Sequence, residues 1–308
     1  MQKLCYIGLI VLLLGGMVSC NSAVSPDTTA TAVLDSNKTD ILTYAASKGL
    51  IGTMTASGLY FVLNKPGSST VTPAFGQELE FNYTLYLLKG PSNTTVTSGV
   101  TDAIIDSASA INPVYYPFFS HALSAGLEES FLRMHEGDQV TLLIPSALAF
   151  GNVQTKDGKI PANSPVRYDV RLRRVRTEDQ QIDEYIAANK LTVTETSATG
   201  LRFIKTRSDP TKSLPTVNQT LTLKSSGKLL HYKTPFDSTG SAYSTSLGKS
   251  ALAGFNEGVA KLREGEKAIL LFPSSLGYKS TGLITSDGTY IVAPYIPLRY
   301  DVELVSAQ

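Results

Sequence analysis

The chain repeats itself, and the period fixes what it can fold into. Tyr44-Ala45-Ala46-Ser47-Lys48-Gly49-Leu50 returns as Tyr185-Ile186-Ala187-Ala188-Asn189-Lys190-Leu191, and Thr55-Ala56-Ser57-Gly58-Leu59-Tyr60-Phe61 returns as Ser197-Ala198-Thr199-Gly200-Leu201-Arg202-Phe203. Further on, His135-Glu136-Gly137-Asp138 answers Arg263-Glu264-Gly265-Glu266, and Val166-Arg167-Tyr168-Asp169-Val170 answers Leu298-Arg299-Tyr300-Asp301-Val302. The spacing between copies is 142 at Gly58/Gly200, 131 at Asp106/Asp237, 128 at Gly126/Gly254 and 132 at Tyr168/Tyr300. Two copies of one domain follow, separated in length by insertions, which belong in surface loops. One extra stretch lies between Gly90 and Ile105 in the first copy, the other between Tyr278 and Val292 in the second.

Each copy has the same coarse plan. A short helix is expected around Ile41–Lys48 and again over Glu178–Asn189, followed by a strand after the Gly-Leu pair and a second strand at Glu78–Leu88 or Thr220–Leu230. In the last strands Val166, Tyr168, Val170 and Leu172 alternate with charged residues, and Leu298, Tyr300, Val302 and Leu304 repeat the pattern, the period of a sheet with one buried face. Leu127, Phe131 and Met134, or Phe255, Val259 and Leu262, have helical spacing, with Gly137 and Gly265 expected to stop the helix. The fold class is α+β: two tandem domains, each an antiparallel sheet wrapped over one short helix and each preceded by a short helix.

The N-terminus carries an export signal. Lys3 precedes a charge-free apolar run from Leu4 to Val18, too short to cross a bilayer as a helix, which needs about 20 residues. Met17-Val18-Ser19-Cys20 resembles a bacterial lipobox, which makes Cys20 the expected site of lipidation and the membrane anchor. Residues 1–19 are then the signal, 20–39 a Ser-, Thr- and Ala-rich tether, 40–176 the first domain and 177–308 the second. Localisation follows: lipid-anchored to a bacterial envelope membrane, with the folded part extracytoplasmic.

Several chemistries are excluded. The chain's two cysteines, Cys5 and Cys20, precede the folded body, which removes disulfides, zinc–thiolate sites and cysteine nucleophiles from it. His121, His135 and His231 share no ligand spacing, so no metal is expected. Gly248-Lys249-Ser250 ends like a phosphate loop, but the position five residues before Gly248, where such a loop needs glycine, holds Tyr243. Lys plus Arg number 27 against 26 Asp plus Glu, which gives nucleic acid no global attraction. Arg171 and Arg173 alternate onto the outer face of the last strand and read as a solvated surface.

Phe236-Asp237-Ser238-Thr239, Leu252-Ala253-Gly254-Phe255-Asn256-Glu257-Gly258, Glu264-Gly265-Glu266, Leu276-Gly277-Tyr278 and Tyr300-Asp301-Val302-Glu303-Leu304, in that order, resemble the signature stretches of FKBP-type peptidyl-prolyl cis-trans isomerases. The leading helices, with Ile41/Tyr44 and Ile182/Tyr185, resemble those of FKBP-type lipoproteins of Bacteroides-like bacteria. The resemblance implies an isomerase or folding factor acting on X-Pro bonds of exported proteins, without cofactor or nucleophile. In the second copy it implies a catalytic set of Phe236, Asp237, Phe255, Tyr278 and Tyr300, with Leu252 and Val292 contacting substrate. A tyrosine of the family pattern falls here on Ser225. In the first copy it assigns peptide contacts to Tyr83, Asp106, Phe150, Ile160 and Tyr168. That copy departs from the pattern at Ile105, Ser124, Leu127 and Phe150, so activity is expected chiefly in the second domain. The alternatives are a peptide-binding chaperone that no longer catalyses and a scaffold lipoprotein recognising one partner.

Overall fold

The computed structural model describes residues 28–88, 104–217 and 219–308. Cys20, the apolar run before it and most of the insertion after Gly90 lie outside them. The first unit comprises α1 (Thr28–Ser47), β1 (Thr53–Met54), β2 (Tyr60–Lys65), β3 (Gln77–Leu87), β4 (Ile104–Ala108), β5 (Val114–Phe118), α2 (Ala125–Phe131), β6 (Gln139–Ile144) and β7 (Val166–Arg176). The second comprises α3 (Glu178–Ala188), β8 (Glu195–Thr196), β9 (Arg202–Arg207), β10 (Thr220–Leu229), β11 (Asp237–Ser238), β12 (Tyr243–Ser246), α4 (Ala253–Ala260), β13 (Lys267–Phe272), β14 (Leu283–Ile284), β15 (Tyr290–Val292) and β16 (Leu298–Ala307). The division between the compact units falls at Val175/Arg176, with only Gly76–Glu78 grouped otherwise.

Topology reproduces the internal repeat. The first sheet runs β1-β2-β6-β7-β3-β4 with β5 on β3, and the second runs β8-β9-β13-β16-β10-β11 with β12 on β10, strand for equivalent strand. The pairings whose registers are resolved are antiparallel. Each is an α+β domain with its sheet laid over one short helix.

The central strands have two buried faces. On β13, Ala268, Leu270 and Phe272 join the main core with Phe255, while Ile269 and Leu271 meet Ile182 of α3 on the reverse side. On β6, Leu142 and Ile144 face the main core and Leu143 meets Ile41, Tyr44 and Ala45 of α1. Successive side chains of a strand point to opposite faces, so a strand covered on both sides reads as a near-continuous apolar run, as Leu142–Ile144 and Ala268–Phe272 do. The helix under the sheet rides close: a Cβ on Gly254 would come within 2.5 Å of the Phe272 ring.

Four expectations are corrected. α1 begins at Thr28, so the second half of the expected tether is helical. Its inward stripe is Asn37, Asp40, Ile41, Tyr44 and Ala45, and two of those five are polar, which hides the helical period. Second, α2 and α4 end at Phe131 and Ala260, ahead of Gly137 and Gly265; Met134 and Leu262 are buried from the turn that follows. Third, the insertion after Tyr278 contains a β14–β15 hairpin closed by Thr285–Thr289, with Gly288 at φ 83°. Arg171 is exposed as expected, but Arg173 lies against Glu80 at 3.0 Å.

The Glu-Gly-acid stretches that recur in the two copies carry structural carboxylates. Glu266 is fully buried and accepts from Lys205 Nζ (2.8 Å) and from the backbone N–H of Arg263 (2.9 Å) and Asp209 (3.0 Å). Burial alone would push its carboxyl up, but these donors more than offset that and hold it at about 2. A pKa below the free-glutamate value of about 4.3 means stability that is present above that pH and lost as pH falls through the native value. Glu266→Gln therefore lowers the thermal midpoint at pH 6, and the gap to the parent chain closes on titration towards pH 2. Glu266→Ala costs about 3 kcal/mol in denaturant unfolding at neutral pH, because Lys205 and two backbone N–H groups lose their acceptor.

Candidate functional site

In the second domain the tight end of the sheet assembles a cluster of aromatic rings. Tyr300, on β16, is its hub: its ring lies 5.2 Å from Phe255 of α4 at 74°, 5.9 Å from Phe236 at 89°, and 6.0 Å from Phe272 at 8°. Phe236 in turn meets Tyr278 edge-on at 6.2 Å. Such edge-to-face pairs set the positive edge of one ring on the negative face of the next. Tyr300 and Phe255 are 2% and 5% exposed, and Leu252 and Val292 are buried beside them in the same core. Phe236 and Tyr278 are half-buried, and Asp237 is exposed. The cluster thus has a sealed floor and an accessible edge.

Hydroxyl groups stitch floor to edge. Tyr300 Oη donates to Asp237 Oδ2 at 3.1 Å, and Tyr278 stands over the same edge through its ring contact with Phe236. Burial, then the neighbouring Tyr278 and Asp237, push the Tyr300 hydroxyl far above the ordinary tyrosine range; burial raises that of Tyr278 as well. Both stay neutral at physiological pH; the Tyr300 proton is committed to Asp237, and the half-buried Tyr278 hydroxyl is the one suited to holding a carbonyl.

The position of Tyr278 is set by the leading helix. After β13 the chain makes one 3₁₀ turn at Ser274–Leu276, and Glu178 at the start of α3 accepts from Ser274 N–H and from Ser274 Oγ at 2.7 Å. Burial pushes the Glu178 carboxyl up, against those two donors. In the first domain Asn37 of α1 does the same work: its Oδ1 accepts from Ser146 N–H at 2.7 Å at the turn leading to Phe150.

The first domain joins some of its expected residues directly. Tyr83 donates to Asp106, and its ring lies 5.8 Å from that of Tyr168. Ile160 and Tyr168 are buried, and Ile105 and Phe150 pack half-buried on the same core. Among the described residues no ring contact joins Phe150 to a neighbouring aromatic as Tyr278 is joined to Phe236. Among the described residues no three His, Cys, Asp or Glu side chains converge as metal ligands, and no helix is long and apolar enough to cross a membrane.

The sequence model of the FKBP-type peptidyl-prolyl cis-trans isomerase family matches residues 70–173 and again 211–305. The chain belongs to this family. Among solved structures it is similar to the three FKBP domains of wheat FKBP73, at 20% identity over 82% of this chain and 96% of that one, with a TM-score of 0.36. It is likewise similar to a peptidyl-prolyl isomerase of Pseudomonas syringae pv. tomato, at 22% identity over 50% of this chain and 100% of that one (TM-score 0.37). A third is FkpA of Escherichia coli, at 24% identity over 42% of this chain and 59% of that one (TM-score 0.36).

The two FKBP domains hold the equivalent aspartate differently. In the first, the hydroxyl comes from Tyr83 on β3; in the second, that position is Ser225 and the hydroxyl comes from Tyr300 on β16. Gly227 makes the exchange possible. It pairs with both Asp237 and Tyr300 across β10, and a Cβ there would meet Tyr300 Cζ at 2.7 Å. The first domain has Leu85 at this point, paired with Asp106.

Sequence reasoning missed Gly227, and it missed Tyr243, whose hydroxyl stands 3.5 Å from Ser225 Oγ and whose ring joins the core edge. Tyr243 entered only as the residue that spoils a phosphate loop; its place on β12, paired with Leu223, was the available signal. Gly227→Ala forces the Tyr300 ring off its seat, so it costs about 2 kcal/mol in denaturant unfolding and raises tyrosine fluorescence or exchange at this ring. Leu85→Ala in the first domain, a cavity and not a clash, shows no such ring displacement.

Proposed function

We propose that this FKBP-family protein catalyses cis-trans isomerisation of X-Pro bonds, chiefly through its second domain. The observation that carries the reading is the half-buried Phe236–Tyr278 edge over a sealed Tyr300–Phe255 floor. Rotation about an X-Pro bond is opposed by amide resonance, with a barrier of about 18–20 kcal/mol. A site lowers that barrier by favouring the twisted amide, in which the nitrogen is pyramidal and the carbonyl has lost its conjugation. Phe236, Phe255 and Tyr300 supply an apolar seat for a prolyl ring, with Leu252 and Val292 behind it. The neutral Tyr278 hydroxyl supplies a donor for the carbonyl, and Asp237, held by Tyr300, fixes the polar rim. No bond is made or broken, so neither nucleophile nor cofactor enters.

The first domain supports peptide binding more than turnover. Tyr83, Asp106 and Tyr168 keep an aromatic and acidic rim, but Phe150 offers no hydroxyl at the loop and Ile105 replaces an aromatic ring. We assign it to gripping proline-containing segments beside Ile160. A reading in which neither domain catalyses is favoured by one observation, the near-complete burial of Phe255 and Tyr300. The same proposal places the chain on an envelope membrane through lipid on Cys20, with exported proteins as clients. Cys20→Ser then moves the expressed chain from the detergent fraction to the soluble one, and unchanged partition counts against the anchor.

Turnover is measured on a short X-Pro peptide by a protease-free assay with the purified chain. Phe236→Ala is expected to lower kcat/KM about tenfold or more, and Tyr278→Phe about fivefold, the worth of one hydrogen bond of roughly 1 kcal/mol. Tyr83→Phe in the first domain leaves the rate within about twofold, since it loses no contact made by the second domain's rings. Equal rates for the parent chain, Phe236→Ala and Tyr278→Phe would sink the second-domain site and leave binding without catalysis.

A further inference from the structure

The second domain contains a cavity of about 170 Å³ that the isomerase reading does not use. Leu221, Leu223, Phe255 and Val259 form its apolar wall, and Thr245 and Ser246 of β12 form part of its rim. Phe236, Asp237, Tyr278 and Tyr300 are not among its lining residues, so it meets the aromatic cluster only at Phe255, with Tyr243 beside it.

The first domain shows what this space is for in a closed version of the same fold. Phe81 on β3 and Phe131 on α2 stand at the positions of Leu223 and Val259. Their rings touch at 4.8 Å, are 2% and 0% exposed, and extend to Phe118 at 6.2 Å. The second domain has given up both rings. The exchange of Leu127 for Phe255 adds one ring back, as a wall of the void and not as its filling.

The lining is also chemically mixed in an ordered way. The Asn256 amide is spent on Ser250, donating to its carbonyl at 2.8 Å and accepting from its N–H at 3.0 Å, which fixes that side of the opening. Thr245 pairs with Leu221 across the sheet, so its side chain shares the face of the apolar wall, half-buried at the rim. The space is open to solvent on its polar side, and about 150 Å³ is volume enough for one benzene-sized ring.

We propose that this cavity is a second ligand site, specific for a single aromatic ring carrying a hydroxyl group: the ring lies against Leu221, Leu223, Phe255 and Val259, and the hydroxyl bonds Thr245. The site fills with a small phenol the volume that Phe81 and Phe131 fill in the first domain. It requires no proline in the ligand and is independent of whether the chain catalyses isomerisation.

The test is a titration of the whole chain, methyl-labelled at Leu and Val, with p-cresol and with toluene as its counterpart lacking the hydroxyl. The Leu221 methyls are expected to shift saturably with both, and p-cresol to bind about fivefold more tightly, as one net hydrogen bond gives. Leu223→Phe and Val259→Phe, which restore the rings of the first domain, each weaken p-cresol binding at least about tenfold while the thermal midpoint holds or rises. If one of these variants fails to fold, the other decides. Absence of saturable shifts at Leu221, shifts confined to the Leu252 and Val292 methyls beside the aromatic cluster, or equal affinity for the two probes would overturn the proposal, as would unchanged binding in the filled variants.

Discussion

The second domain depends on where the Tyr300 side chain can go. A tyrosine on the strand beside the central one has its ring among Phe255, Phe236 and Phe272, and its hydroxyl must find a partner once it leaves water. Asp237 is that partner, at the cost of leaving no room for a side chain on Gly227. From this one placement follow the sealed floor, the orientation of the aspartate and the seat of Phe236. The first domain solves the same problem with the hydroxyl on the other strand, from Tyr83, and keeps Leu85 where the second has Gly227. Two copies of one fold thus reach the same acid by different routes.

The leading helices make each site a property of more than its own sheet. Both cover the reverse face of the central strand with apolar residues, and both send a polar group to the turn that launches the loop residue, Asn37 to Ser146 and Glu178 to Ser274. A loop anchored in this way loses less order on receiving a ligand, which is the physical use of preorganisation. The carboxylate at Glu266 serves the fold in the same manner, converting a buried charge into a clamp that accepts from Lys205, Ser208 Oγ and the backbone of Asp209 and Arg263.

Much of this was legible in the residues. The repeat gave the number of domains, and alternation at Val166–Leu172 and Leu298–Leu304 gave the last strands and which of their residues face inward. Composition hid the rest. The inward stripe of α1 includes Asn37 and Asp40, so a hydropathy period does not announce the helix. The β14–β15 hairpin is too short to carry a periodic signal. Tyr243 and Gly227 matter through what stands across the sheet from them, which only the register reveals. The cavity by Leu223 and Val259 was readable in principle, as two lost rings between aligned copies, but it takes three dimensions to show that Phe81 and Phe131 touch.

The central claim is that the accessible aromatic edge of the second domain receives prolyl peptides. The most direct measurement is a titration of the whole chain, labelled on its aromatic rings, with a short X-Pro peptide followed by NMR. Saturable shifts at Phe236, Tyr278 and Tyr300, exceeding those at Tyr83 and Phe150, are the predicted result. Shifts absent from the second domain, or confined to the first, would contradict it.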